Sequence, residues 1–324
     1  MRDLATLPKA HLHLHLEGGM RPGTLTDLAA GYGVPVPRIR GFGSFRAFAS
    51  TYLAACDVLR TEDNFTRLVD ETLDDAADSG AVWIEVAFHP AHHRPRFGTD
   101  EQVVELVLAA MATASDRTGV GAGLMLSADR TKPPSDAVEL AHLACRYANA
   151  GVVSFGLAND EQLGAPEAYV EAYAIARSCG LLSTPHAGEL CGPDSVRGAL
   201  DALGADRIQH GVRAIEDPAL VARLADERVC LDVCPTSNLA LGVVERMADH
   251  PLPALLDAGV PCSINADDPL LFGPGLLEEY ELCRSELALD DASLAAAAGA
   301  SIDHSAAPAD VKAAALAAIG DWLA

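Results

Sequence analysis

Pro8-Lys9-Ala10-His11-Leu12-His13-Leu14-His15-Leu16-Glu17-Gly18 alternates polar and apolar side chains, the period of a β-strand. On that reading His11, His13, His15 and Glu17 share one face, and Leu12, Leu14 and Leu16 share the other. The leucine face suits packing beneath helices. The other face concentrates imidazole, the commonest metal ligand among side chains, on neighbours that can reach one ion. A solvated strand carrying histidines by chance is the competing reading. A row this dense inside a barrel is costly without a metal to hold.

Seven further apolar runs follow the same plan: 82–88, 121–126, 152–157, 181–186, 207–210, 229–233 and 261–265. Each gives way to a turn and then to an Ala/Leu-rich stretch of helical period, such as 102–118, 136–150, 166–179, 195–203 or 218–226. Repeated β-then-α order implies parallel strands with crossovers. Eight units predict a closed α/β barrel of the (β/α)8 TIM type. The first two strands lie about 65 residues apart, more than one crossover helix needs. Residues 45–59 and 64–77 read there as amphipathic helices and 31–43 as an irregular loop, a helical insertion at the C-terminal rim. Extra helices at 275–287 and 308–323 close the chain, and residues 1–324 read as a single barrel domain.

Half of the 324 residues are hydrophobic and the formal net charge is −23. A large core is therefore available, while the acidity disfavours nucleic acid and anionic membranes as partners. No run of signal-peptide or membrane-spanning character is present, so a cytoplasmic location is expected. The eight cysteines are scattered, without a CxxC pair, and read as buried free thiols in a reducing compartment.

Polar clusters fall at five predicted strand ends, the rim where barrel enzymes keep their active sites. They contain His13, His15 and Glu17; Asn159-Asp160-Glu161; His186 and Glu189; His210; and Asp267-Asp268. His13, His15, His186 and one aspartate of the 267/268 pair make an N3O donor set. With an open position it suits one Zn²⁺ or a similar ion, which would acidify water. Glu189, three residues past His186, is placed to move protons, and His210 to hold or deprotonate the water.

In combination, Pro8-Lys9, Leu12-His13-x-His15-Leu16-Glu17-Gly18, His186-Ala187-Gly188-Glu189, His210-Gly211, Cys234-Pro235-x-Ser237-Asn238 and Asp267-Asp268-Pro269 resemble the adenosine deaminase family. The resemblance spans nearly the whole chain. It implies a zinc (β/α)8 barrel that hydrolyses the 6-amino group of an adenine ring in a small-molecule purine nucleoside. It further implies His13, His15, His186 and Asp267 as metal ligands, one Zn²⁺ per chain, with Glu189 protonating ring N1, His210 orienting the attacking oxygen and Asp268 meeting N7.

Departures from the family bear on the substrate. Glu17 stands where adenosine deaminases usually carry a ribose-binding Asp, and Glu there resembles adenine deaminases. Asn159 replaces the glycine whose N–H meets ring N3, so its side chain is expected to intrude on or reshape the pocket. The mixture resembles deaminases of adenosine with an enlarged 5′ substituent, such as aminodeoxyfutalosine. Free adenine is the alternative substrate, and a non-catalytic binding relative the alternative from another class.

Of the other polar residues, His11 reads as packed core, His89, His92 and His93 as a solvated loop, and His142, His250 and His304 as surface positions. Asp232 reads either as support for a catalytic group or as buried strand polarity. Phe42, Phe45 and Phe48 read as a lid or as helix packing.

Overall fold

The computed structural model describes residues 2–39 and 41–324. Its strands are β1 (Lys9–His15), β2 (Ala81–Phe88), β3 (Gly121–Asp129), β4 (Val152–Ala158), β5 (Leu182–Ala187), β6 (Arg207–His210), β7 (Cys230–Val233) and β8 (Cys262–Ile264). They pair in parallel in sequence order. The ring meets itself where His15 N–H donates to the Asp267 carbonyl and Asp267 N–H to the His13 carbonyl, both at 3.0 Å. The expected (β/α)8 TIM barrel is therefore present, and closure brings the first strand beside the residues that follow the last.

Helices Asp100–Thr118, Pro134–Tyr147, Val170–Ser178, Pro193–Asp201, Pro218–Asp226 and Leu252–Asp257 follow β2 to β7 in turn. The insertion after β1 holds helices Pro22–Tyr32, Phe45–Cys56 and Glu62–Asp78. The first of these was not expected and takes Gly31 and Tyr32 from the expected loop 31–43, whose other described residues are irregular. Pro22 opens the helix, and it runs through Gly31 to a left-handed cap at Gly33. Of that loop, Arg40 lies outside the described residues. After β8 come Leu276–Ser285, Asp291–Asp303 and Ala309–Leu323. The alanine-rich middle helix was not anticipated, because a run such as Ala295–Ala298 carries little amphipathic contrast. It packs against β1 and β8.

Leu12, Leu14 and Leu16 are at most 2% exposed, each burial stabilising the fold by about 1.5–3 kcal/mol. Beneath the site the interior is polar. Arg207 donates to Glu85 Oε2 at 2.5 Å, Asp232 Oδ2 at 2.6 Å and the His304 carbonyl at 2.9 Å, with all three charged side chains fully buried. Asp232 is thus an ion-pair partner, while its backbone carbonyl receives a hydrogen bond from His13.

One expectation about the cysteines is overturned. Cys145 and Cys179 form a disulfide, their Cα atoms 5.5 Å apart. Helices Pro134–Tyr147 and Val170–Ser178 are neighbours around the barrel, so thiols 34 residues apart are brought together by helix packing rather than by local spacing. The other six are free, and Cys191 is only partly buried. Among the described residues no helix is long and apolar enough to cross a membrane.

Candidate active site

The alternation of β1 is broken by a bulge. His11 pairs with Ile84 but Leu14 with Val86, so β1 spends one more residue than β2 over that span. Asn265 Oδ1 accepts from both Leu12 N–H (2.7 Å) and His13 N–H (3.1 Å). The bulge divides the expected histidine row. His11 is buried and Nε2 accepts from Ala266 N–H at 3.2 Å, so it serves the core. Burial, reinforced by His13, lowers its pKa to about 3 and keeps it neutral.

His13 and His15 point to the barrel mouth, with Nε2 atoms 3.5 and 3.4 Å from Asp267 Oδ1. The His186 ring lies 4.8 Å from that of His13 and 5.3 Å from that of His15. The donor atoms of His13, His15 and His186 lie within 4.8 Å of one another. His13 Nδ1–H donates to the Asp232 carbonyl at 3.0 Å, which leaves the Nε2 lone pair free. Nε2 is buried without a hydrogen-bond partner. Burial and the neighbouring imidazoles hold His186 well below its usual pKa, so it is neutral and able to ligate. Burial alone would raise Asp267, but His13, His210 and His15 outweigh it and keep the carboxylate ionised. Ser237 Oγ donates to its Oδ2 at 2.6 Å. An orphaned, oriented imidazole beside an ionised carboxylate and two further imidazoles fits a divalent metal.

Glu189 is 4% exposed. Burial, then the charges of Asp267 and Glu161, push its carboxyl well above the usual range, so it holds a proton. The loop carrying it is fixed by Glu161, which accepts from the N–H groups of Gly188 (2.6 Å), Glu189 (3.1 Å), Leu190 (2.6 Å) and Cys191 (2.8 Å), and from Ser195 Oγ. Gly188 turns the chain at φ 68°, and a Cβ there would press on Val196 and on the backbone of Gly211.

His210 Nε2 lies 3.5 Å from Glu189 Oε1. Burial and His13 keep the ring neutral, and a relay fixes its tautomer. Leu252 N–H donates to His250 Nδ1 (3.1 Å), so the His250 proton is on Nε2 and is donated to Asn238 Oδ1 (3.1 Å). The Asn238 amide then donates to His210 Nδ1 (3.3 Å), which leaves the His210 proton on Nε2, facing the site. His250, expected at the surface, is buried because Asn238 and the Leu252 backbone enclose it.

Asp268 is raised well above its usual pKa by burial and by the Asp267 charge, and its Oδ1 is buried without a partner. Gly18 makes room for it, since a Cβ at residue 18 would overlap that oxygen. Asn159, His210 and Asp267 have φ of 74°, 64° and 60°. Such strained backbone gathers at functional sites. The left-handed turn at Asn159 suits an asparagine better than other non-glycine residues. Its Oδ1 accepts from Asp160 N–H at 2.9 Å, so the side chain folds back on its own loop instead of filling the pocket.

His15, His186, Glu189, His210, Asp267, Asp268 and Asn159 line one cavity, with about 790 Å³ of empty space counting its open mouth. Its outer wall comes from Phe45, Phe48, Leu53, Leu241, His89, His92 and Asp129. Phe48 stacks on Phe272 at 5.3 Å and meets Phe42 edge-on at 5.5 Å; Phe45 and Phe48 border the cavity, while Phe42 only packs against Phe48 and Phe272. Glu17 starts a 3-10 turn after β1 and is not part of the cavity lining. Its oxygens accept from Tyr52 OH and pair with His93 Nε2, both at 2.7 Å. Burial would raise its pKa, but these two partners bring it to about 2.

The expected solvated loop 89–93 is corrected as well. His93 is 1% exposed because it pairs with Glu17, and His89 and His92 are half-buried in the cavity wall. Glu161, Ser237, Asn238, His250, Tyr52 and His93 had no specific role read from the sequence. The motifs around residues 161 and 237–238 marked the first three as candidates, but their partners lie on other strands.

The family model described as adenosine deaminase matches residues 8–322. A Streptomyces virginiae protein described provisionally as an adenosine/adenine deaminase is 48% identical over 99% of this chain and 98% of its own length. Adenine deaminase of Mesorhizobium japonicum is 38% identical over 91% of this chain and 93% of its own. Among solved structures, adenine deaminase from Arthrobacter aurescens superposes with a TM-score of 0.92 at 33% identity, covering 98% of this chain and 99% of that one. A Burkholderia ambifaria amidohydrolase with bound Zn superposes at 0.88 and 29% identity, covering 98% and 91%.

Proposed function

The chain belongs to the adenosine deaminase family and is a hydrolytic deaminase, and we propose that it converts an adenosine-type nucleoside to the inosine-type product and ammonia. The observation carrying this reading is the meeting of three clustered imidazoles, His13, His15 and His186, two of them beside Asp267, with the buried carboxyl of Glu189 at one cavity. His13, His15, His186 and Asp267 would hold one Zn²⁺. Such an ion supplies acidified water, with a pKa brought from 15.7 to about 7.

Glu189 delivers its proton to ring N1 as a water oxygen adds at C6. The His210 Nε2–H holds that oxygen as a hydrogen-bond donor; with its proton on this nitrogen the neutral ring is not the base. Asp268, kept protonated, donates to N7, and the Asn159 backbone N–H faces N3. The Glu189 carboxylate left by the transfer to N1 relays one proton of the added oxygen to the 6-amino nitrogen and takes back the other as the C6–N bond breaks, which releases ammonia, leaves the 6-oxo group and restores the protonated carboxyl. Activity therefore depends on protonated Glu189, and kcat/KM falls as pH rises through its elevated pKa.

The cavity lining reaches beyond the donor cluster to His89, His92, Asp129 and the phenylalanines Phe45 and Phe48, which supports a substrate with a substituent at the sugar side, including an enlarged 5′ group. A second reading, free adenine, is favoured by Glu17, whose oxygens are both engaged and not open to ribose hydroxyls. Competition among adenine, adenosine and a 5′-extended adenosine, read as ammonia release, decides between them. The nucleoside reading expects a higher kcat/KM for one of the adenosines; preference for adenine would overturn it.

A further inference from the structure

The cavity wall carries a second group of donor atoms that the deamination chemistry does not use. His89 follows β2, His92 ends the short turn Pro90–His92, and Asp129 is the last residue of β3. β2 and β3 are directly paired, Phe88 opposite Leu126, so the group stands on a rigid base. One ligand atom from each of the three lies within 4.8 Å of the others. His92 Nε2 and Asp129 Oδ2 are 3.9 Å apart, and the two imidazole rings are 4.5 Å apart.

The atoms around the group orient it. His89 Nδ1–H donates to the Ser127 carbonyl at 2.8 Å, leaving the Nε2 lone pair free. Asp129 Oδ1 accepts from Thr131 N–H (2.8 Å) and Thr131 Oγ1 (2.7 Å), leaving Oδ2 toward His92. Hydrogen bonds to the non-ligating atom are the usual support of a metal site, and His89 and Asp129, two of the three donors, have them.

We propose that His89, His92 and Asp129 form a second divalent-cation site, separate from the His13, His15, His186 and Asp267 cluster. Two imidazoles and one carboxylate select a borderline ion such as Zn²⁺, Co²⁺ or Ni²⁺ over Mg²⁺ or Ca²⁺. Bonds of about 2.0–2.2 Å require the widest-set atoms to draw in by roughly an ångström, an adjustment open to two half-buried imidazoles. With three protein ligands and more exposure than the first cluster, this site is the weaker of the two. Because it shares the substrate cavity, an ion there narrows the space left beside a bound purine, and divalent metal in excess of one equivalent inhibits competitively. The inference does not rest on which purine is used, nor on the deamination reading.

Protein stripped of metal and reloaded with one equivalent of Zn²⁺ is titrated with Co²⁺, following heat and visible absorption. The expected result is one further Co²⁺ per chain. Its affinity falls in His92→Ala and Asp129→Asn by at least the 10–100-fold lost when a metal site is deprived of an outer partner. Elemental analysis finds the first Zn²⁺ retained in both variants. Should Asp129→Asn fail to fold, His92→Ala, a change at a half-exposed side chain, carries the test alone. Uptake of no second ion at millimolar Co²⁺, or unchanged second-ion affinity in the variants, overturns the proposal. A loss of deamination in any of these proteins would bear on the proposed reaction and leave the count of ions as an independent result.

Discussion

Glu161 shows how much of a site depends on a side chain that need not touch substrate. Its carboxylate gathers five donors around the loop that presents Glu189. In Glu161→Gln, an amide NH2 is forced against backbone N–H groups, and the loop must shift. Misplacement of a reacting group by about 1 Å can cost on the order of 100-fold. Steady-state kinetics should therefore show kcat reduced by about that factor with KM little changed and the metal content of the wild type. His250 acts at greater range, through the tautomer of His210. In His250→Ala the Asn238 amide loses the partner that orients it, and kcat should fall about 10–100-fold, as for other outer-shell partners. Rate changes confined to KM would count against either role.

At the scale of elements, the barrel was legible because hydrophobic period, turn residues and strand-end chemistry repeat eight times. The strand-end residues His13, His15, His186, Glu189, His210, Asp267 and Asp268 were legible for the same reason: parallel βα units deliver them to one rim. What escaped the sequence depends on contacts between elements. The β1 bulge is set by Asn265 on the far side of the ring closure, and the burial of His93 by Glu17 across 76 residues. The Cys145–Cys179 link depends on which faces two helices turn to each other. The Arg207 network is of this kind, joining Glu85 on β2 to Asp232 on β7. Replacing Arg207 by Met leaves two buried carboxylates without their cation. The loss should be about 3–5 kcal/mol, measured by denaturant unfolding of the disulfide-intact protein. A stability within 1 kcal/mol of wild type, a difference at the level of many surface ion pairs, would contradict that assignment.

For the whole molecule, pH couples to folding through buried carboxyls outside the reacting centre. Glu279 is raised from 4.5 to about 8 by burial, against the opposing effect of the Thr236 hydrogen bonds. Between those values the folded state binds more protons than the unfolded state, so this group makes stability fall as pH rises from about 4.5 to 8. Glu279→Gln should gain stability over wild type progressively across that window, with no comparable gain below pH 4.5; a difference independent of pH would contradict this. Fold, donor cluster and cavity converge on one central claim, that Glu189 supplies the proton for metal-assisted hydrolytic deamination. The most direct test is Glu189→Gln, assayed for ammonia release from the preferred purine alongside elemental analysis of bound metal. Full metal content and a rate lower by about 10²–10⁴-fold, the usual worth of a positioned general acid, are expected. An unchanged rate with metal bound would contradict the claim.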